Sequence, residues 1–245
     1  MEESFEDIAK KFDNLFGDVE KLTKLEALSI QPILDEYNAK KVLDCACGSG
    51  IQSIGLAEKG YDIYASDISN TLLKITQEKA KNKNLKIVTK NVDFKNLEYW
   101  KEKFDATICC GNSLPLVSSL DEVKTVLQNM KMVTKHKGIV IIGLHNYNRL
   151  KNENQLFLLR KNTENELIFD VRDFSGEKII INYFFVNKKM LNTETEVFQK
   201  SYLYLHPDKI VELMQKVGYS NIRLLGTEGV NKFQDDEWFF VVGEA

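Results

Sequence analysis

Two aspartates and a pair of glycines carry the densest chemical signal in this chain. Val42-Leu43-Asp44-Cys45-Ala46-Cys47-Gly48-Ser49-Gly50-Ile51 reads as an apolar strand ending in a carboxylate, then a turn of small residues, then the start of a helix. Nineteen residues after Gly48, a second strand (Tyr61 to Ser66) runs into Asp67. A strand–turn–helix unit whose second strand presents a carboxylate is a nucleoside-binding device. The glycines let a ligand approach the backbone, and the carboxylate accepts hydrogen bonds from a ribose diol.

The spacing also bears on which nucleoside. A dinucleotide site uses G-x-G-x-x-G/A so that the pyrophosphate rests on a helix N-terminus. Here the third small position is Ser53, and the Asp44 carboxylate would repel a pyrophosphate. S-adenosylmethionine (SAM) has no phosphate, and its ammonium and sulfonium are cationic. Charge complementarity therefore favours SAM over NAD.

The elements around these residues alternate. Apolar spacing predicts two helices over 4–16 and 19–37, the second interrupted or kinked at Pro32. Strands follow at 41–45, 61–66, 86–89, 106–110 and 138–144, with helices near 51–59, 70–82 and 120–134. Ser69 or Asn70 is the expected N-cap of the helix at 70–82. This βα repeat implies a doubly wound, mainly parallel sheet with right-handed crossovers. Between 156 and 205 the pattern changes to three alternating or apolar runs, Leu167–Val171, Ile179–Val186 and Glu196–Leu205, separated by turns at Ser175-Gly176 and Asn187-Lys188-Lys189. They read as an antiparallel insertion over the ligand edge of the sheet. A helix at 207–217 and strands at 221–226 and 237–243 close the chain. The organisation is thus N-terminal helices (1–40), an α/β core (41–150), an antiparallel cap (151–205) and a C-terminal helix with a strand hairpin (206–245).

Val42 to Gly50, the run Ser53-Ile54-Gly55-Leu56-Ala57-Glu58-Lys59-Gly60-Tyr61, and Ser66-Asp67-Ile68-Ser69 resemble class I SAM-dependent methyltransferases, most of all the glycine and sarcosine N-methyltransferase branch. The likeness is close over 42–74 and looser through Gly111-Asn112-Ser113, Asn146-Tyr147 and the C-terminal helix–hairpin. It implies a Rossmann-like seven-stranded sheet and SAM as cofactor, converted to S-adenosylhomocysteine. By this resemblance Asp44, Gly48 and Gly50 hold the methionine end. Asp67 takes the ribose, Ile68 packs on the adenine, and Asp93 lies near the adenine amino group. Phe94 is placed to flank the ring, and Asn91 and Cys110, at strand ends, join the candidate contacts. Ala46 stands where the wider family often has glycine, and a small residue is kept there.

The later segments bear on the acceptor. The Asn/Asp-Pro-Pro-aromatic and Pro-Cys motifs of DNA-base methyltransferases are absent, whereas Gly111-Asn112-Ser113 resembles the substrate-facing segment of glycine N-methyltransferases. Asn112 is the leading substrate contact. His145 stands where that branch has an arginine clamping the substrate carboxylate, before Asn146-Tyr147. An imidazole cannot form the bidentate fork, which puts glycine itself in question; Arg149 or Arg172 is the candidate substitute. Asn112, His145 and Tyr147 are the candidate catalytic residues. Tyr183, Tyr202 and Tyr204 are candidate substrate contacts, with Tyr202 and Tyr204 sharing one face by alternation. They can meet an amine's N–H groups or a methylammonium.

Composition narrows the partners. A net charge of −3 with interspersed lysines and acids excludes the basic face expected for nucleic-acid binding. No run approaches the roughly 18 apolar residues of a membrane span, and the acidic N-terminus lacks a signal-peptide pattern. Four cysteines, paired closely as Cys45/Cys47 and Cys109/Cys110, have no matching ligand spacing and read as free thiols of a reducing cytoplasm, with no metal expected. The reading is a methyltransferase acting on a small molecule, with an amine as acceptor. A hydroxyl acceptor, with His145 or His206 as base, is the near alternative, and a SAM-binding protein without turnover the more distant one. Oligomeric state, and whether the N-terminal helices cover the cofactor or mediate subunit contacts, stay open.

Overall fold

The computed structural model describes residues 5–174, 176, 178–189, 194–227 and 236–245. It begins with a short helix α1 (Phe5–Ala9), a 3-10 turn (Phe12–Phe16) and a long helix α2 (Val19–Glu36). The helix expected over 4–16 is therefore broken. Asp13 and Asn14 favour local side-chain bonds over a helix interior, and Gly17 turns the chain at φ +62°. Asp18 then caps α2, accepting the Lys21 N–H at 3.0 Å. Against expectation, α2 runs through Pro32. Pro32 and Leu28 are both exposed, so water can serve the carbonyl that loses its helical donor.

The core alternates as the pattern predicts: β1 (Lys41–Asp44), α3 (Ile51–Glu58), β2 (Asp62–Asp67), α4 (Asn70–Asn82), β3 (Ile87–Asn91), β4 (Phe104–Cys109), α5 (Leu120–Val133) and β5 (Thr134–His145). Ser69 caps α4, its Oγ accepting the Leu72 N–H at 3.1 Å. After a short helix α6 (Tyr147–Asn152) come the cap strands β6 (Phe157–Asn162), β7 (Glu166–Asp173), β8 (Lys178–Asn187) and β9 (Glu194–Leu203). The chain ends with α7 (Pro207–Val217), β10 (Ser220–Gly226) and β11 (Trp238–Glu244).

The main sheet has seven strands in the order β10-β11-β5-β4-β1-β2-β3. Strands β1 to β5 pair in parallel, and β11 runs antiparallel to both its neighbours. Helices cover both faces, which is why β5 reads as a continuous apolar run. Its alternate residues Val140, Ile142 and Leu144 join the cluster with α5 and α7. Ile139 and Ile141 join the cluster with α2 and α3. The strand order reverses at β1, between β4 and β2, so the loops leaving β1, β2, β4 and β5 border one crevice.

The cap is a four-stranded antiparallel sheet, β6-β7-β8-β9, rather than the three expected strands. The unforeseen strand, β6, is an edge strand whose Phe157 and Leu159 are exposed, so its apolar residues give no inward pattern. Of the turn expected at Ser175-Gly176, Ser175 lies outside the described residues. The inner face of the cap, including Ile168, Ile181, Tyr183 and Phe198, packs against Ile8, Leu15, Tyr147 and Leu150 from the N-terminal segment and α6. No helix among the described residues is long and apolar enough to cross a membrane.

Candidate active site

Where β1 gives way to α3, Gly48 adopts φ +54° and Gly50 φ +85°. The Gly48 N–H donates to Asp67 Oδ2 at 2.8 Å, and Asp67 Oδ1 accepts the Ser69 N–H at 2.9 Å. Asp67 thus ties the first turn to the second while lining the cavity. Burial pushes its carboxyl upward, because no ion pair to it exists among the described residues. Gly50 serves packing instead, since a Cβ there would fall 2.8 Å from the Thr76 side chain. It keeps α4 close to the turn and does not line the cavity.

Asp44 differs from the sequence reading. It is 2% exposed, is absent from the cavity wall, and accepts the Ser53 hydroxyl at 2.7 Å. Burial pushes its carboxyl up to about 7, against the Ser53 and Ala46 hydrogen bonds. Its place is behind the turn, with Ser53 as the donor that makes its burial tolerable. The carboxylate that does face the cavity near this turn is Glu26 of α2, which the sequence reading misses; it accepts Gln52 Nε2 at 3.0 Å.

Ala46, Ile68, Asp93, Phe94 and Cys110 all line the cavity. Ile68 is 65% exposed, an apolar platform beside Asp67. Asp93 caps the 3-10 turn after β3, accepting the Lys95 N–H at 2.8 Å. Asn91 is not on the cavity wall. Its Nδ2 donates to the carbonyls of Asp67 at 2.9 Å and Ile68 at 2.8 Å, holding that loop from below. The four cysteines are buried and free, and burial pushes the Cys110 thiol well up.

Across the cavity, Gly111 and Asn112 both have positive φ, +72° and +64°, and turn the chain sharply after β4. Asn112 is a junction. Its N–H donates to the Gly143 carbonyl at 3.1 Å, its Oδ1 accepts the His145 N–H at 3.1 Å, and its Nδ2 donates to Tyr147 Oη at 2.7 Å. It lines the cavity as expected, with one amide hydrogen beyond these bonds. The His145 ring lies 3.6 Å from the Trp238 ring, centroid to centroid. Burial, then the charges of Arg160 and Arg172, lower its pKa to about 3, against the Glu237 backbone carbonyl. His145 is therefore neutral, and its buried Nδ1 has no hydrogen-bond partner.

The cap supplies the cations. Asp170 is fully buried and bridges two guanidinium groups: Arg160 Nε donates to Oδ2 at 2.7 Å and Arg172 Nε to Oδ1 at 2.9 Å. Strand pairing sets Arg172 opposite Ile181, and Ile181 opposite Lys200, in one cross-strand row. Arg160, Arg172 and Lys200 all line the cavity. Only Arg172 figures in the sequence reading. The legible signal is the alternation Ile168-Asp170-Arg172, which puts two charges on the same face as a core isoleucine. Arg149 of α6, the other candidate clamp, instead pairs at 2.8 Å with Glu153, the residue that caps the helix.

Of the three tyrosines, Tyr183 and Tyr202 are buried, line the cavity and share a hydrogen bond at 3.1 Å. Tyr204 does not join them: its hydroxyl donates to Asn148 Oδ1. Strand β9 ends at Leu203, so the alternation that would align Tyr204 with Tyr202 does not extend that far. His206 caps α7 away from the cavity, accepting the Asp208 N–H at 3.2 Å. Phe12, Leu15 and Phe16 of the N-terminal segment complete the wall, and a Cβ on Gly48 would lie 3.5 Å from the Phe12 ring. The cavity encloses about 900 Å³, the upper end of the range for small-molecule sites. Its residues fit a cationic nucleoside: a carboxylate suited to a diol at Asp67, an apolar platform at Ile68, and a second carboxylate, at Glu26, with no ion pair among the described residues.

Comparison with known proteins bears on the family and the fold. The model of a family described as a methyltransferase domain matches residues 42–138. A glycine/sarcosine N-methyltransferase of Aphanothece halophytica is 28% identical over 85% of this chain and 77% of the relative. Another of that name, from Parasynechococcus marenigrum (strain WH8102), is 34% identical over 61% of this chain, and the alignment spans about half of that relative, 53%. Among solved structures, a SAM-dependent methyltransferase from Clostridium acetobutylicum ATCC 824 superposes with a TM-score of 0.76 at 20% identity, covering 98% of this chain and 97% of that one.

Proposed function

On the premise that this chain is a class I SAM-dependent methyltransferase, we propose that it methylates the nitrogen of a small amine that also carries an anionic group, as glycine and sarcosine do. The observation that carries this reading is the Arg160–Asp170–Arg172 cluster, in which buried Asp170 holds two arginines that line the cavity. Two guanidinium groups around one carboxylate leave a net positive charge, and Arg172 is only 5% exposed. An acceptor carboxylate would answer that charge. The cluster thereby stands in for the arginine that His145 replaces.

Bound SAM supplies an activated methyl group on a sulfonium, open to in-line displacement. The chain's own residues bind, orient and exclude water. Asp67 accepts the ribose hydroxyls, and Ile68 and Phe94 hold the adenine. The cap and the Phe12–Phe16 turn shield the reacting centre from solvent. Methylation needs a neutral amine, and the positive field of Arg160, Arg172 and Lys200 favours that form by lowering the amine's pKa. Tyr183, Tyr202 and the remaining Asn112 amide hydrogen are placed to orient the nitrogen.

A hydroxyl acceptor fits less well. It calls for a base, yet His145, with its pKa lowered to about 3, does not take up a proton near neutral pH. His206 stands outside the cavity. The testing experiment is transfer of labelled methyl from SAM to a panel of amino acids, simple amines and hydroxylated metabolites, read by mass spectrometry. Labelled N-methyl product from a carboxylate-bearing amine is expected. Product from a hydroxylated compound alone would contradict the reading.

A further inference from the structure

We propose that Glu26 is a cofactor-binding residue whose carboxylate receives the α-ammonium of the methionyl end of SAM. The inference rests on the methyltransferase reading above for its cofactor; the role of Glu26 is independent of which acceptor the enzyme uses.

The placement of Glu26 follows from how α2 and α3 cross. Gly55 permits that contact: a Cβ there would fall 2.4 Å from the Thr23 carbonyl oxygen. One helical turn from this contact along each helix, at the cavity, stand Glu26 on α2 and Gln52 on α3. Gln52 Nε2 donates to Glu26 Oε2 at 3.0 Å. The same Nε2 lies 3.9 Å from where a Gly111 side chain would begin. Glu26 is therefore held between the turn after β1 and the turn after β4, and all of these residues but Thr23 and Gly55 line the cavity.

Position along the ligand decides which cation it meets. Asp67, Ile68 and Phe94 mark the adenosine end. The wall continues through Gly48 and Ser49 to Gln52 and Gly111, so the Glu26 end takes the amino-acid part. That part carries an ammonium. Glu26 forms no ion pair among the described residues, and burial pushes its carboxyl upward. A part-buried carboxylate without a counter-ion is costly, and a cationic ligand group relieves it on binding. Asp44 cannot do this, because it stands behind the turn and is already bonded to Ser53.

The test is calorimetric titration of wild-type protein and Glu26→Gln with three ligands: SAM, S-adenosylhomocysteine and 5′-methylthioadenosine. The first two carry the ammonium; the third lacks the amino-acid part altogether. Glutamine keeps the size and the hydrogen bond to Gln52 but removes the charge. SAM and S-adenosylhomocysteine should each bind about tenfold more weakly, as for loss of a charged hydrogen bond. Methylthioadenosine should bind within twofold of wild type. The ligand-free variant should melt no lower than wild type, since an uncompensated charge has been removed. Unchanged SAM affinity would overturn the proposal and leave the acceptor as the partner of Glu26. Equal weakening of all three ligands, or a lower melting temperature, would also overturn it, by making Glu26 a scaffold residue.

Discussion

The turn after β1 and the inner face of the cap look at each other across one cavity with opposite charge. Asp67 and Glu26 face it from the cofactor side; Arg160, Arg172 and Lys200 face it from the cap. The two sides are also assembled differently. Asp67 reaches Gly48 across nineteen residues of one β–α–β unit. The cap row needs β7, β8 and β9 in register to set Arg172, Ile181 and Lys200 side by side. A negative side suited to a cationic cofactor is local, and a positive side suited to an anionic acceptor is non-local. Substitutions should accordingly separate cofactor binding from acceptor binding.

The largest effect should come from Asp67→Asn. The carboxylate accepts two backbone N–H groups, and an amide presents its own NH₂ to one of them. Loss of one of these bonds, and of the charge that strengthens the other, should weaken SAM binding about a hundredfold by calorimetry. Next, Arg172→Lys keeps the charge but loses the planar fork. It should raise KM for the acceptor about thirtyfold while the SAM Kd stays within twofold. Parallel changes in both constants would break the separation.

The contrast also explains what is legible in the sequence. The gathering of Gly48, Asp67 and Ile68 on one cavity wall and the strand–helix alternation are readable because short-range spacing encodes them. Asp44 lies off the cavity wall because a strand-end aspartate can point forward into the crevice or back toward its own helix, and only the Ser53 contact decides. Glu26 lies in an amphipathic helix, where one glutamate reads as a solvated face until Gly55 brings α3 against it. Arg160 belongs to an edge strand with no inward apolar pattern, and its union with Arg172 depends on pairing register. Tyr204 falls off the cavity wall because alternation does not hold past the end of β9.

Smaller effects sharpen the cofactor side. Ser53→Ala leaves the buried Asp44 Oδ2 without its 2.7 Å donor and should cost about 1–2 kcal/mol by denaturant unfolding. Asp44→Asn should alter the pH dependence of stability. The folded carboxyl titrates at about 7, above its unfolded value of about 3.9, so the native state holds the proton more tightly. The stability it contributes is complete below the unfolded pKa and is lost as pH rises through about 7. Asp44→Asn should therefore remove a decline of about 1 kcal/mol per pH unit or less between those limits. An identical slope in both proteins would mean that Asp44 titrates normally.

The central claim is that the cap recognises the acceptor's anionic group. Its most direct test compares kcat/KM for a carboxylate-bearing amine and for the matching amine without the carboxylate, in wild type and in Arg172→Lys. The account predicts that wild type prefers the carboxylate-bearing amine about a hundredfold and that the preference falls to a few-fold in the variant. Equal use of both amines by wild type, or a preference untouched by the substitution, would contradict it.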